Sequence, residues 1–337
     1  MTTKHPHRHN NGIHKPSSQS SSATQTDPSR DTHTLLHAML AFLLTPLSTL
    51  LLAALSTALT SPKSPTSPHH LFTFGDSYSQ TGFNISLALP SRSNPIGNPS
   101  FPGWTTSGGP NWLGYLTTRY NTSLVLTYNF ASGGATVDAA LVAPYTPSVL
   151  SLGDQVRIFT DNAHLVDWRA AGASTFAVWI GVNDVGNSWW MDDETARVQR
   201  IIARYFELVA DLYDAGARRF VFLGVPPITR SPLVLRTSDA PSRALEDSVI
   251  ATFNSTLSTA ARQFATTHAD AHVYVVNTTP AFATALDHPE VYGAPDATCF
   301  NEDGRSCLWF NDYHPAMAIQ GLVAREVARV VGGVWGA

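Results

Sequence analysis

Five short apolar runs limit what this chain can fold into more than any other feature. They are LFTF at 71–74, LVLTYNF at 124–130, STFAVWIGV at 174–182, RRFVFLGV at 218–225 and AHVYVVN at 271–277. All are rich in β-branched and aromatic residues, and none alternates apolar with polar residues as a half-exposed strand does, so each is expected to be a strand buried on both faces. Helix-patterned segments lie between them. Residues 194–217 carry Val198, Ile201, Ile202, Tyr205, Leu208, Val209 and Leu212 at helical spacing and close on Gly216; residues 242–269 and 315–331 read likewise. Strand and helix in alternation imply an α/β fold, a doubly wound, mainly parallel sheet with helices on both faces. With 337 residues, 43% of them hydrophobic, there is material for such a core. Ligands of these sheets sit outside the carboxyl ends of the strands, so the residues that follow each strand are the ones to inspect.

What precedes the first strand has a different character. Residues 1–34 are polar and almost free of large apolar side chains, and are expected to form a disordered tail; His5, His7, His9 and His14 within it lack the Cys or acidic partners of a metal site. Residues 35–60 carry no charge and as a helix would extend about 39 Å, enough to cross a bilayer. Lys4, Arg8, Lys15 and Arg30 precede this segment and only Lys63 follows closely, which would orient the remainder outward on the secretory route. Ser56, Thr57 and Ala58 offer a signal peptidase small residues, so a cleaved signal peptide and a retained signal anchor are both open. Residues 61–70 read as a Pro/Ser linker and 71–337 as the folded domain. Four sequons, at Asn84, Asn121, Asn254 and Asn277, fit an oxidising lumen, as does a local disulfide between the only two cysteines, Cys299 and Cys307. A formal net charge of −4 without a basic face argues against nucleic acid as a partner.

Four motifs fall at strand ends or ahead of the last helix. Ser77 follows the first strand in FGDS, where it is either a presented nucleophile or an ordinary helix N-cap. Gly134, in YNFASGGATVD, offers a backbone N–H to a developing oxyanion, or merely turns the chain. Asn183, in WIGVND, offers a side-chain amide, or a local turn. His314, in WFNDYHPA, stands just before a helix for which Pro315 suits the first position.

Taken in this order the four blocks resemble those of the GDSL or SGNH hydrolases, and the resemblance covers essentially all of residues 71–337. It implies a flavodoxin-like α/β domain, Ser77 as nucleophile, His314 as general base, and an oxyanion hole made of the Ser77 and Gly134 N–H groups with Asn183. The segment GVPPITRSP at 224–232 is similar to the stretch after the fourth strand in plant and fungal members. FPGWTTSGGPNWLGYL at 101–116 is similar to a stretch of fungal acetyl esterases that deacetylate hemicellulose oligosaccharides. The expected reaction is therefore hydrolysis of short acyl esters of carbohydrates through an acyl-enzyme, without metal or other cofactor. Trp104, Trp189 and Trp190 are aromatic residues in loop positions that suit the apolar faces of sugars, while Trp112 reads as core.

One position departs from the family pattern. Three residues before the histidine, where these hydrolases usually carry Asp, stands Asn311, with Asp312 beside it. The amide oxygen of Asn311 can still accept the imidazole N–H, without adding charge; Asp312 is the alternative third member. Two other readings stay open: a lipase or broad acyl hydrolase, for which 140–153 could form a lid, and a catalytically weak carbohydrate-binding descendant.

Overall fold

The computed structural model of the chain describes residues 67–170 and 173–337. The expected tail, the apolar segment 35–60 and most of the linker lie outside the described residues.

Five strands form one parallel sheet: β1 (His69–Gly75), β2 (Val125–Asn129), β3 (Ser174–Trp179), β4 (Arg219–Leu223) and β5 (His272–Val276), in the order β2-β1-β3-β4-β5. Eight helices connect or flank them: α1 (Trp112–Thr118), α2 (Leu152–Asn162), α3 (Val182–Gly186), α4 (Glu194–Asp214), α5 (Pro232–Thr237), α6 (Ala240–Thr267), α7 (Thr279–Leu286) and α8 (Met317–Val331). All five strands stand where the apolar runs predict them. β1 begins at His69 rather than Leu71, because His69 and His70 are buried and paired to the neighbouring strands, so two residues assigned to the linker belong to the sheet.

Sequence alternation explains the packing. Tyr128, Phe72, Phe176 and Phe220 occupy matching registers on four adjacent strands, and their rings run across one face of the sheet at centroid spacings of 5.0, 4.9 and 6.2 Å. Such ring pairs contribute about 0.5–1.5 kcal/mol each beyond their burial. Phe159 of α2, with Trp168 after it, closes over the β1 and β3 rings; Tyr205 of α4 meets Phe222 and Phe264 of α6 meets Phe220. The seven residues that the spacing picks for the inner face of α4 are those buried there. β5 is the exception to burial on both faces: it is an edge strand, and only Val276 is fully buried.

β1 lies between β2 and β3, and every one of its residues is buried. The sheet grows from β1 to one side with β2 and then to the other with β3, and this switch of strand order opens a crevice at the carboxyl ends of these strands. At the opposite end of β1, His69 meets the ring of Trp335 edge-on at 5.3 Å, so the described chain starts and finishes at the same place.

Candidate active site

Ser77 follows β1 in a tight turn, not at the start of a helix. Gly75 ends the strand at φ +154°, with the Gln155 side chain donating to its carbonyl and accepting from its N–H, both at 2.8 Å. A Cβ there would collide with the carbonyl oxygen of Trp179. The Asp76 carboxylate accepts from the Tyr78 N–H at 2.9 Å, and the Ser79 and Gln80 N–H groups donate to the Asp76 carbonyl. The chain then leaves as a loop, and the next helix begins only at Trp112. Sequence favours a helix here because Asp and Ser are good N-caps, but the capping chemistry is spent on closing the turn.

His314 comes from the loop before α8. That helix starts at Met317, and Pro315 sits instead in an isolated bridge with Trp309. The loop is tied to the Ser77 turn: the Tyr78 hydroxyl donates to the Tyr313 carbonyl at 2.7 Å, and Gln320 of α8 donates to the Tyr78 carbonyl at 3.2 Å. These bonds bring His314 Nε2 to 2.8 Å from Ser77 Oγ.

Asn311 lies against the far nitrogen of the imidazole. Its Oδ1 lies 2.9 Å from His314 Nδ1 and also accepts from the backbone N–H groups of Tyr313 at 3.0 Å and His314 at 2.9 Å. Two backbone donors converge on this atom, so it is the amide oxygen, and Nδ1 must carry the proton that faces it. The lone pair of Nε2 is thereby directed at the serine hydroxyl. The Asp312 carboxylate pairs instead with Arg236 of α5 at 2.7 Å, and its carbonyl accepts from the Leu233 N–H. Burial drives the His314 pKa down to about 4, against a smaller opposing pull from the Asp312 charge, so the ring is a neutral acceptor at neutral pH.

Three donors belong to residues that line the same cavity as this pair. The N–H groups of Ser77 and Gly134 have no acceptor among the described residues. Gly134 has φ +80°, and a Cβ there would strike the Cβ of Tyr145. Asn183, in the first turn of α3, gives one amide hydrogen to the Ala135 carbonyl at 2.9 Å and keeps the other. Next to it, Asp184 is fully buried and accepts from the Val137 N–H through both oxygens, which pins the β2 loop to α3. Burial raises the carboxyls of Asp76 and Asp184 to about 7, each costly to ionise where it lies.

These groups open into a cavity of about 730 Å³. Trp189 and Trp190 line it, as the sequence suggests, packed edge to face at 5.5 Å. Trp104 does not: it is 72% exposed and lies over Gly82, outside the lining residues. Trp112 is core, with no exposure. Gln80, Tyr145, Glu246 and Tyr313 also form the walls, and sequence reading missed their part. A signal existed for Glu246, since it falls at helical spacing with Val249, Ile250 and Phe253, a charged residue on an apolar stripe.

Cys299 and Cys307 are joined in a disulfide. Of the sequon asparagines, Asn84 and Asn277 are exposed and Asn121 is half-buried. Asn254 is committed elsewhere: its amide donates to the Val225 carbonyl and accepts from the Val225 N–H, at 2.9 and 2.8 Å, so a glycan there would displace a clamp on the end of β4. Asn254 is therefore withdrawn as a glycosylation site. Among the described residues, no helix is long and apolar enough to cross a membrane.

Comparison with known proteins adds the following. The model of the GDSL-like lipase/acylhydrolase family matches residues 71–327. An acetylesterase of Thermothelomyces thermophilus is 50% identical over 266 residues, covering 78% of this chain and 88% of its own length. An acetylesterase of Hypocrea jecorina is 24% identical over 317 residues, covering 78% and 89%. Among solved structures, an acetylxylan esterase of Geobacillus stearothermophilus, a catalytic mutant, aligns over 80% of this chain and 96% of its own at 17% identity, with a TM-score of 0.45.

Proposed function

Because the chain belongs to the GDSL-like lipase/acylhydrolase family and is a carboxylic ester hydrolase, we propose that it removes acetyl groups from carbohydrates such as hemicellulose oligosaccharides through an acyl-enzyme on Ser77. The observation that carries this reading is the relay Asn311–His314–Ser77 beside a cavity that Gly134 and Asn183 also line. His314 Nε2 takes the hydroxyl proton as Ser77 Oγ attacks the ester carbonyl, and the oxyanion accepts from the N–H groups of Ser77 and Gly134 and from Asn183. Collapse breaks the bond to the alcohol oxygen, which leaves with the proton that His314 returns. Water then attacks the acyl-enzyme with the same base, releasing acetate and free Ser77.

The half-identical relative named an acetylesterase supports a short acyl group. The indole rings of Trp189 and Trp190 beside Asn187, Thr237 and Ser238 suit a sugar better than an acyl tail. The disulfide, the exposed sequons at Asn84 and Asn277, and the apolar segment 35–60 support a secretory location, with the domain released or anchored on the outer or lumenal side. The test is acetate release from acetylated xylo-oligosaccharides set against rates on p-nitrophenyl esters of increasing chain length, with Ser77→Ala as control. We expect the acetyl esters to be preferred and Ser77→Ala to lose about 10³-fold or more of kcat while keeping its fold. A preference for long acyl chains would favour a lipase, and near wild-type turnover by Ser77→Ala would remove the mechanism.

A further inference from the structure

Glu246 is a carboxyl for which neither the core nor the proposed mechanism has a use. It stands in the second turn of α6 and is 2% exposed, yet it contributes to the cavity wall. Its Oε2 is shut away from solvent without a hydrogen-bond partner. An unpartnered buried carboxyl is destabilising, and folded proteins retain few of them. The other oxygen, Oε1, also has no hydrogen-bond partner among the described residues but is not shut away, so a ligand in the cavity can supply the missing partner there.

Its place decides which part of a ligand it meets. The oxyanion donors come from the β1 turn, the β2 loop and α3. Glu246 lines the cavity together with Leu233 and Val234 of α5 and with Tyr313 and His314, and it stands near enough to Tyr313 for its charge to act on that phenol. His314 returns its proton to the alcohol oxygen, so the alcohol part of the ester leaves beside His314, and Glu246 stands by Tyr313, the residue next to it.

We infer that Glu246 is a specificity residue that hydrogen-bonds a free hydroxyl of the alcohol moiety, and that through it the cavity prefers polyol acetates to acetates of simple alcohols. The inference rests on the carbohydrate reading above. A hydroxyl suits the position better than a cation or an anion would. Burial and the neighbouring Asp247 hold the Glu246 carboxyl up to about 7, so near neutrality it exists in both forms. A hydroxyl, being donor and acceptor at once, pairs with either form. A site that hydrogen-bonds a substrate hydroxyl also rejects an analogue lacking it, because the polar group is then left buried and alone.

The experiment compares a monoacetylated xyloside with free hydroxyls, its O-methylated counterpart and p-nitrophenyl acetate, using wild type, Glu246→Ala, Glu246→Leu and Glu246→Gln. Wild type is expected to favour the free xyloside. Glu246→Ala and Glu246→Leu should raise KM for it roughly ten-fold and erase the preference over the methylated compound, while p-nitrophenyl acetate, which carries no hydroxyl to lose, should change less than the free xyloside. Glu246→Gln, which still donates and accepts, should keep most of the preference. Glu246→Leu removes an unpartnered polar group and should melt no lower than wild type, so folding does not confound the result. Equal losses on all three substrates, or a preference left intact in Glu246→Leu, would overturn the assignment alone. Wild type that cleaves p-nitrophenyl acetate but neither xyloside would overturn the carbohydrate reading, and this one with it.

Discussion

At position 311 an amide takes a place usually held by a carboxylate, and the difference should be legible in kinetics. Asn311 Oδ1 serves three donors, so Asn311→Ala frees the imidazole and loosens the loop; kcat on an aryl acetate is expected to fall by about 10²-fold or more. Asp312→Ala, which loses only an exposed pair with Arg236, should stay close to wild type. Asn311→Asp keeps every acceptor contact and adds a charge that stabilises the imidazolium. It should hold or raise kcat at neutral pH and move the acid limb of the pH profile upward from the region near 4 set by His314 burial. A crippled Asp312→Ala beside a normal Asn311→Ala would reverse the assignment. That Ser77, Gly134, Asn183 and His314 meet at one cavity was legible in the sequence because each stands in a recognisable block at a predictable place in the fold, whereas the sequence left Asn311 and Asp312 as alternatives. Glu246 left a signal as a charge on an apolar stripe, but neither it nor Tyr145 could be placed at the cavity, because that depends on the approach of α6 and of the loop after β2 to a histidine far along the chain.

Elements were legible in proportion to how continuous their burial is. β1, β3 and β4 are unbroken apolar runs, and α4 shows a clean inner face, so pattern and packing agree. Turns that end those elements were less legible, since Asp76-Ser77 and Pro315 carry residues that cap helices as readily as they shape loops, and only tertiary bonds decide. The loop closed by Cys299 and Cys307 is another such element. Gly304 within it presses on the backbone of Ser107 and Gly108 at φ +65°, and its carbonyl accepts from Met317 at the start of α8, so the loop braces the helix behind His314. Opening it by Cys299→Ser with Cys307→Ser should cost about 2.5 kcal/mol by the entropy of a ring this small. Urea titration checks this; an unchanged midpoint would mean that packing alone holds the loop.

For the whole molecule, buried ionisable groups set a direction for stability against pH. Asp76, Asp184 and Glu246 are raised to about 7 from ordinary values of 3.8, 3.8 and 4.5, so between those limits the folded protein binds protons that the unfolded chain does not. Stability should therefore rise as pH falls from 8 to 6.5, by up to about 1.4 kcal/mol per pH unit for each group fully in transition. Below 6.5 the buried His70 and His314, both lowered, act in the opposite sense because the unfolded chain protonates them first, and the gain should flatten toward pH 5. Melting temperatures across this range test the sign, and a higher value at pH 8 than at 6.5 would contradict it. The same molecule has a front and a back, because Ser77 leaves one end of β1 while His69 and Trp335 meet at the other, about 23 Å away along the seven residues of the strand. A resin, a cell wall or a bilayer that held the domain by the chain ahead of His69 would grip its back, leaving the mouth of the cavity turned toward whatever polymer drifts past.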